Sequence, residues 1–178
     1  MKQTDIINSE IKARCNDHEK IRNYLISHGA KFSGVDHQID TYFNIDSGRL
    51  KLREGTIENN LIFYRRSDEA GPKQAEISLT AVDKNSDLRS VLGKALGAKV
   101  QVDKKREIYF IDNVKFHIDT VNDLGTFMEI EAIDWDGSIG SEKLRLQCEF
   151  YASEMGIDKQ DLVVGSYSDL LLEKTEVR

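Results

Sequence analysis

The feature that most limits what this chain can fold into is a period of two that returns with the same split. Around residues 7–15, Asn8, Glu10, Lys12 and Arg14 fall on one side, and Ile7, Ile11, Ala13 and Cys15 on the other. Successive side chains of an extended strand point to opposite faces, so this stretch predicts a strand with one apolar and one charged face. A single such strand reads as half-buried, with its polar face in water. The split recurs, however. Arg49, Lys51 and Arg53 alternate with Leu50 and Leu52; Lys115, His117 and Asp119 with Val114, Phe116 and Ile118; Glu129 and Glu131 with Met128, Ile130 and Ala132. Further strands are expected over 38–43, 61–66, 75–80 and 99–111.

Between these strands lie helix signals. Asn16 and Glu19 have capping-box spacing ahead of a helix over 16–30 that Gly29 would stop. Ser86 is the expected cap of a short helix striped by Leu88, Val91, Leu92 and Leu96, with Gly97 ending it. Ser141 begins the longest helix, striped by Leu144, Cys148, Tyr151, Ala152 and Met155 and closed by Gly156; a short helical stretch follows around 168–172. Turns are expected at 47–48, 58–60, 112–113 and 122–125, and a loop over 67–73 that holds the only proline, Pro72. Short connections between most neighbouring strands favour antiparallel pairing. The fold class is therefore α+β, with a large antiparallel sheet that could close on itself.

The 178 residues suit one domain spanning 1–178. The net charge of −6 argues against a general nucleic-acid or polybasic membrane surface, yet leaves room for a local cationic pocket. No apolar run is long enough to span a bilayer, and the first residues form no signal-peptide core. Cys15 and Cys148 both fall on apolar faces, as small buried hydrophobes rather than a disulfide or metal pair, which points to a reducing, cytoplasmic setting.

The polar faces collect acids at Glu10, Asp119, Glu129 and Glu131 and bases at Lys12, Arg14, Lys51, Arg53, Arg66, Lys104, Arg106 and Lys115, with Lys73 from the loop. Hard divalent cations need carboxylate oxygens, and a polyphosphate needs several Lys and Arg side chains. Together they are the equipment of phosphoryl chemistry, which works by positioning and charge stabilisation. Each piece alone has a plainer reading: Glu129 and Glu131 as exposed strand acids, Arg49, Lys51 and Arg53 as edge-strand charge, His117 as a wall residue. No P-loop, zinc-ligand spacing, nucleophile elbow or dinucleotide fingerprint is present.

In order along the chain, Asn8-x-Glu10-x-Lys12-x-Arg14, Gln38-x-Asp40-Thr41-Tyr42-Phe43, Leu50-Lys51-Leu52-Arg53-Glu54, Leu61-Ile62-x-Tyr64-x-Arg66-x-Asp68 with Gly71-Pro72-Lys73, Val102-x-Lys104-x-Arg106, His117-Ile118-Asp119-x-Val121, Leu124-Gly125-x-Phe127-x-Glu129-x-Glu131 and Ser166-Tyr167-Ser168-Asp169-Leu170 make a set. This set resembles the CYTH domain superfamily of class IV adenylate cyclases and thiamine triphosphatases, the triphosphate tunnel metalloenzymes, and in particular its class IV cyclase-like branch. The resemblance runs nearly end to end. It implies a closed eight-stranded antiparallel β-barrel with flanking helices and charged faces turned inward. It implies a small-molecule triphosphate, ATP or tripolyphosphate, held by Lys12, Arg14, Lys51, Arg53, Arg66, Lys73, Lys104, Arg106 and Lys115. Mg²⁺ or Mn²⁺ would sit on Glu10, Asp119, Glu129 and Glu131, with Lys12, Glu129 and Glu131 the catalytic residues. It is also compatible with a homodimer. The sequence departs from the family at Asn8, where the opening motif carries Glu; an amide oxygen can coordinate metal but brings no charge.

Three functions compete for this pattern. One is a cyclase converting ATP to cyclic AMP and pyrophosphate. Another is a triphosphatase acting on tripolyphosphate, thiamine triphosphate or a nucleotide. The third is a module that binds nucleotide or polyphosphate without turning it over.

Overall fold

The computed structural model describes residues 6–66 and 71–176. Its strands are β1 (Ile6–Arg14), β2 (Lys31–Phe43), β3 (Arg49–Gly55), β4 (Asn59–Arg66), β5 (Lys73–Ala81), β6 (Ala98–Ile111), β7 (Val114–Val121) and β8 (Gly125–Asp134). They close into a barrel in the order β1-β5-β4-β3-β2-β6-β7-β8, every pairing antiparallel. The helices are α1 (His18–Ser27), α2 (Leu88–Leu96), α3 (Ser141–Glu154) and α4 (Tyr167–Glu176). Among the described residues, no helix is long and apolar enough to cross a membrane.

The expected inversion is what the barrel does with its alternating strands. The apolar faces turn outward. Ile11, Ala13, Phe116, Ile118, Met128 and Ile130 form a core with Ile21 and Leu25 of α1 and Leu144, Cys148 and Ala152 of α3. Cys148 donates its thiol to the Ser9 carbonyl at 3.0 Å, and burial pushes that thiol up to about 11. Both cysteines are free. The charged faces turn inward and are buried with them.

Several boundaries differ from expectation for local reasons. The cap of α1 lies one residue later than the capping-box spacing suggests, at Asp17 rather than Asn16: its carboxylate accepts the Lys20 N–H at 2.9 Å. Gly29 does end the helix, at φ 72°. Asp87 rather than Ser86 precedes α2, although the Ser86 hydroxyl accepts the Leu88 N–H at 3.2 Å. β2 starts at Lys31 rather than 38, pairing as far as Phe110 of β6. Residues 31–35 there are mostly exposed, so no buried alternation marks them in the sequence. Asn59 and Asn60, expected in a turn, belong to β4. Of the expected loop over 67–73, residues 67–70 lie outside the described residues and Lys73 already pairs with Glu10 in the sheet.

The chain after α3 closes one end of the barrel. Val163 donates to the Lys12 carbonyl at 2.9 Å, and Val163 and Tyr167 pack with Leu170 and Leu171 onto the inward-facing Tyr42, Tyr64, Val102, Val121 and Phe127. Lys73 ties this segment down by donating its ammonium to the Val163 carbonyl at 2.9 Å and to the Val164 carbonyl.

Candidate active site: an ion-lined cavity in the barrel

The lumen holds a cavity of about 290 Å³. Among the described residues, seven basic side chains line it: Lys12, Lys51, Arg53, Arg66, Lys104, Arg106 and Lys115. Five carboxylates stand among them: Glu10, Asp40, Glu58, Glu129 and Glu131. The chain as a whole is acidic at −6, so this cationic excess is local to the lumen. Charges on low-dielectric walls act on a ligand between them with less screening than charges in bulk water.

Strand register explains the arrangement. Glu10 lies opposite Glu131, and Lys12 opposite Glu129, across the β1–β8 pair. Asp40 lies opposite Arg53 across β2–β3. Arg106 lies opposite Asp119 across β6–β7, and His117 opposite Glu129 across β7–β8. Apart from Glu10 and Glu131, two acids, these cross-strand neighbours put a basic side chain against a carboxylate inside the barrel, where ion pairs are required to offset desolvation.

Two hubs organise the cations. Asp40 accepts Arg53 Nε and Nη2, both at 2.9 Å, Lys104 Nζ at 2.8 Å and Lys51 Nζ at 3.1 Å. Burial would raise its pKa, but Arg53, Lys104 and Lys51 outweigh that and hold it well below the usual carboxylate range. Glu129 pairs with Lys12 at 3.1 Å and accepts Arg106 Nη2 at 2.9 Å; its contact with His117 Nδ1 is 3.0 Å. Arg106 and Lys12 overcome its burial in the same way. Lys104 responds oppositely: burial, then the nearby Arg53, Arg106 and Lys51, outweigh Asp40 and bring it down to about 7.

The structure also shows which expected residues do not reach the cavity wall. Arg14 stands exposed at the strand end, 5.1 Å from the Phe127 ring. Lys73 faces inward but serves the closing segment. Asp119 lies behind the wall, accepting Arg106 Nε at 2.7 Å and the Tyr167 hydroxyl at 2.7 Å. Sequence reasoning did not single out Asp40 or Glu58 as site residues. Asp40 sits on the Gln38–Asp40–Tyr42 alternation, a usable signal. Glu58 falls in what reads as turn sequence. Its position is set by Asp36, whose carboxylate accepts the N–H groups of Ile57 at 2.8 Å and Glu58 at 3.0 Å. Gly55 is needed there, since a Cβ would stand 2.7 Å from Asp36 Oδ1. Glu58 then meets Arg53 at 2.9 Å and Lys115 at 2.5 Å.

Asn8, the departure from the opening motif, is fully buried and donates its amide to Glu131 Oε1 at 2.5 Å. Its Oδ1 is buried with no hydrogen-bond partner among the described residues. Among those residues, no group of three or more His, Cys, Asp or Glu stands ready to hold a metal ion unaided. Glu10, Glu129 and Glu131 nevertheless supply hard oxygens along one wall. Mg²⁺ is commonly held by one or two carboxylates plus substrate phosphates, so this donor set fits such an ion arriving with a triphosphate.

The CYTH domain family profile matches residues 7–167. A Methanocaldococcus jannaschii protein named "putative adenylate cyclase" is 29% identical over 93% of this chain and 98% of its own length. Among solved structures, a Pyrococcus horikoshii protein is 26% identical with TM-score 0.76, covering 92% of this chain and 98% of its own. A Vibrio parahaemolyticus protein also named "putative adenylate cyclase" shares the fold at 18% identity and TM-score 0.76, over 93% of this chain and 97% of its own.

Proposed function

From the premise that this chain belongs to the CYTH domain family, we propose that it binds a triphosphate inside the barrel and acts on it with a divalent metal, as an adenylate cyclase of the class IV kind. The observation that carries this reading is the cavity in the barrel lumen with its excess of basic side chains beside a carboxylate wall. Lys12, Arg53, Lys104, Arg106 and Lys115 would neutralise the phosphate oxygens, with Arg53 and Arg106 offering two-pronged contacts. Glu10, Glu129 and Glu131 would hold Mg²⁺ or Mn²⁺, which supplies charge stabilisation to the departing phosphates. Glu10 now pairs with Arg66 and Glu129 with Lys12, so ligand binding exchanges partners: the cations turn to phosphate and release the carboxylates. In the reaction the ribose 3′-oxygen bonds to the α-phosphorus, the bond to the bridging oxygen breaks, pyrophosphate leaves and the hydroxyl proton is lost.

The test is product analysis. The protein is incubated with ATP or tripolyphosphate and Mg²⁺ or Mn²⁺, and cyclic AMP, pyrophosphate and orthophosphate are separated. Cyclic AMP with pyrophosphate supports the cyclase; orthophosphate without cyclic AMP replaces it with a triphosphatase. Thermal stabilisation by ligand without product would make the barrel a binding module. Asn8→Glu places a further acid against Glu131. It is expected to tighten Mn²⁺ binding in calorimetry and to lower the metal-free melting temperature; a variant unchanged in both would separate Asn8 from the metal wall.

Lys104 gives the site a pH signature. Its proton is lost near pH 7 in the free protein but held to about pH 10 in the unfolded chain. Unfolding therefore takes up a proton between those values, and the stability contributed by this group rises with pH across that window. A bound triphosphate raises the Lys104 pKa again, so binding at pH 8 is expected to take up about one proton and to weaken as pH rises from 7 to 9. Calorimetry in buffers of different ionisation enthalpy measures this. No buffer dependence, or equal uptake in Lys104→Met, would contradict it.

A further inference from the structure

The cavity is not ionic throughout. At one level of the barrel the inward-facing series on three adjacent strands changes character. On β8, Glu129 and Glu131 give way to Ile133, and the series ends at Trp135, just past the strand. On β1, Lys12, Glu10 and the buried Asn8 give way to Ile6, which pairs with Ile77 of β5. Ile6, Ile77, Ile133 and Trp135 thus form an apolar stretch of the same cavity wall; along β8 it lies beyond Glu129 and Glu131 from Phe127, which packs with Tyr167, while Ile77 continues it toward Tyr64 of β4. Trp135 is 57% exposed although it lines the cavity.

Its backbone setting is fixed. The neighbouring Asp134 is buried, and its carboxylate accepts four successive N–H groups: Gly137 at 2.8 Å, Ser138 at 3.1 Å, Ile139 at 3.1 Å and Gly140 at 3.0 Å. An indole standing in water on a braced turn is held in place without burial to stabilise it.

We propose that this apolar end is the subsite for the heteroaromatic ring of an organic triphosphate, with the Trp135 indole as its stacking face. The proposal rests on the reading of the lumen as a triphosphate site and adds to it the side chains that receive the ring. Inorganic tripolyphosphate has no group that gains from an isoleucine and indole wall. A nucleoside triphosphate carries its ring at one end of its phosphates, matching an apolar stretch continuous with a cationic one. Ring stacking on an aromatic side chain tolerates any base, so the subsite selects organic over inorganic triphosphates more than one base over another.

Trp135 is the only tryptophan in the chain, so its emission reports this subsite directly. Titration of the full-length protein with ATP is expected to quench that emission saturably, at the dissociation constant that calorimetry gives. Tripolyphosphate is expected to bind in calorimetry with little quenching. Trp135→Leu, an exchange at a surface position, should weaken ATP about tenfold and leave tripolyphosphate within about twofold. Binding of both ligands with no quenching by ATP, or equal losses for both in Trp135→Leu, would overturn the subsite alone. Failure of either ligand to bind the unaltered protein would overturn the triphosphate reading and the subsite with it.

Discussion

Exchanging Glu131 for Gln is expected to abolish metal-dependent turnover, by on the order of 100-fold or more, while the barrel stays folded. The side chain keeps its length and its capacity to accept the Asn8 amide, which lies 2.5 Å from Glu131 Oε1. What disappears is a negative charge on the cavity wall, directly across the strand pair from Glu10. With Asn8 already neutral, the β1–β8 wall would keep only Glu10 and Glu129 as acids. Turnover of ATP at saturating Mn²⁺, with a melting curve alongside, measures both halves of the expectation. Activity within a few-fold of the parent would remove Glu131 from the mechanism. A collapse of the melting transition would show that its role is structural.

Asp40→Asn is expected to cost stability instead, by about 3–5 kcal/mol, or a fall of roughly 10 °C in melting temperature. Asp40 is almost fully buried and serves as counter-ion to Arg53, Lys104 and Lys51 at once. Removing its charge leaves Arg53 and Lys51 without this counter-ion and takes from Lys104 the carboxylate that favours its charged form. Because its folded pKa is depressed, its contribution is present above about pH 4 and drains away as pH falls toward the folded value. The parent should therefore lose more stability than Asp40→Asn on acidification from about pH 5 to about pH 3. Tripolyphosphate should restore more melting temperature to Asp40→Asn than it adds to the parent, since it supplies charge to the same three cations. A variant that melts within about 1–2 °C of the parent would mean that water, not Asp40, balances these cations.

The alternating strands were readable because a period of two survives wherever one face packs on a helix. That held for 114–119 and 127–133, whose apolar faces are buried with α1 and α3 residues; 49–54 alternates as well, with Leu52 buried and Leu50 half-buried. It failed at residues 31–35, which pair with β6 while mostly exposed and so carry no alternation. Glu58 was unreadable for another reason. Its place in the lumen depends on Asp36, 22 residues earlier, folding the β3–β4 turn beneath it. Arg14, Lys73 and Asp119 share the inward parity of the true lining residues. What separates them is height along the barrel and the partner met there: solvent, the Val163–Val164 carbonyls, and Arg106 with Tyr167.

By itself the sequence determined that strands with one ionic and one apolar face dominate this chain, because side-chain parity is a property of the backbone and needs no partner. Only the closed barrel decided that the ionic faces point inward and which acid neutralises which base. It also decided that one end of the lumen turns apolar at Trp135. Strand register and closure bring together residues far apart in the chain, and local pattern contains no record of that distance.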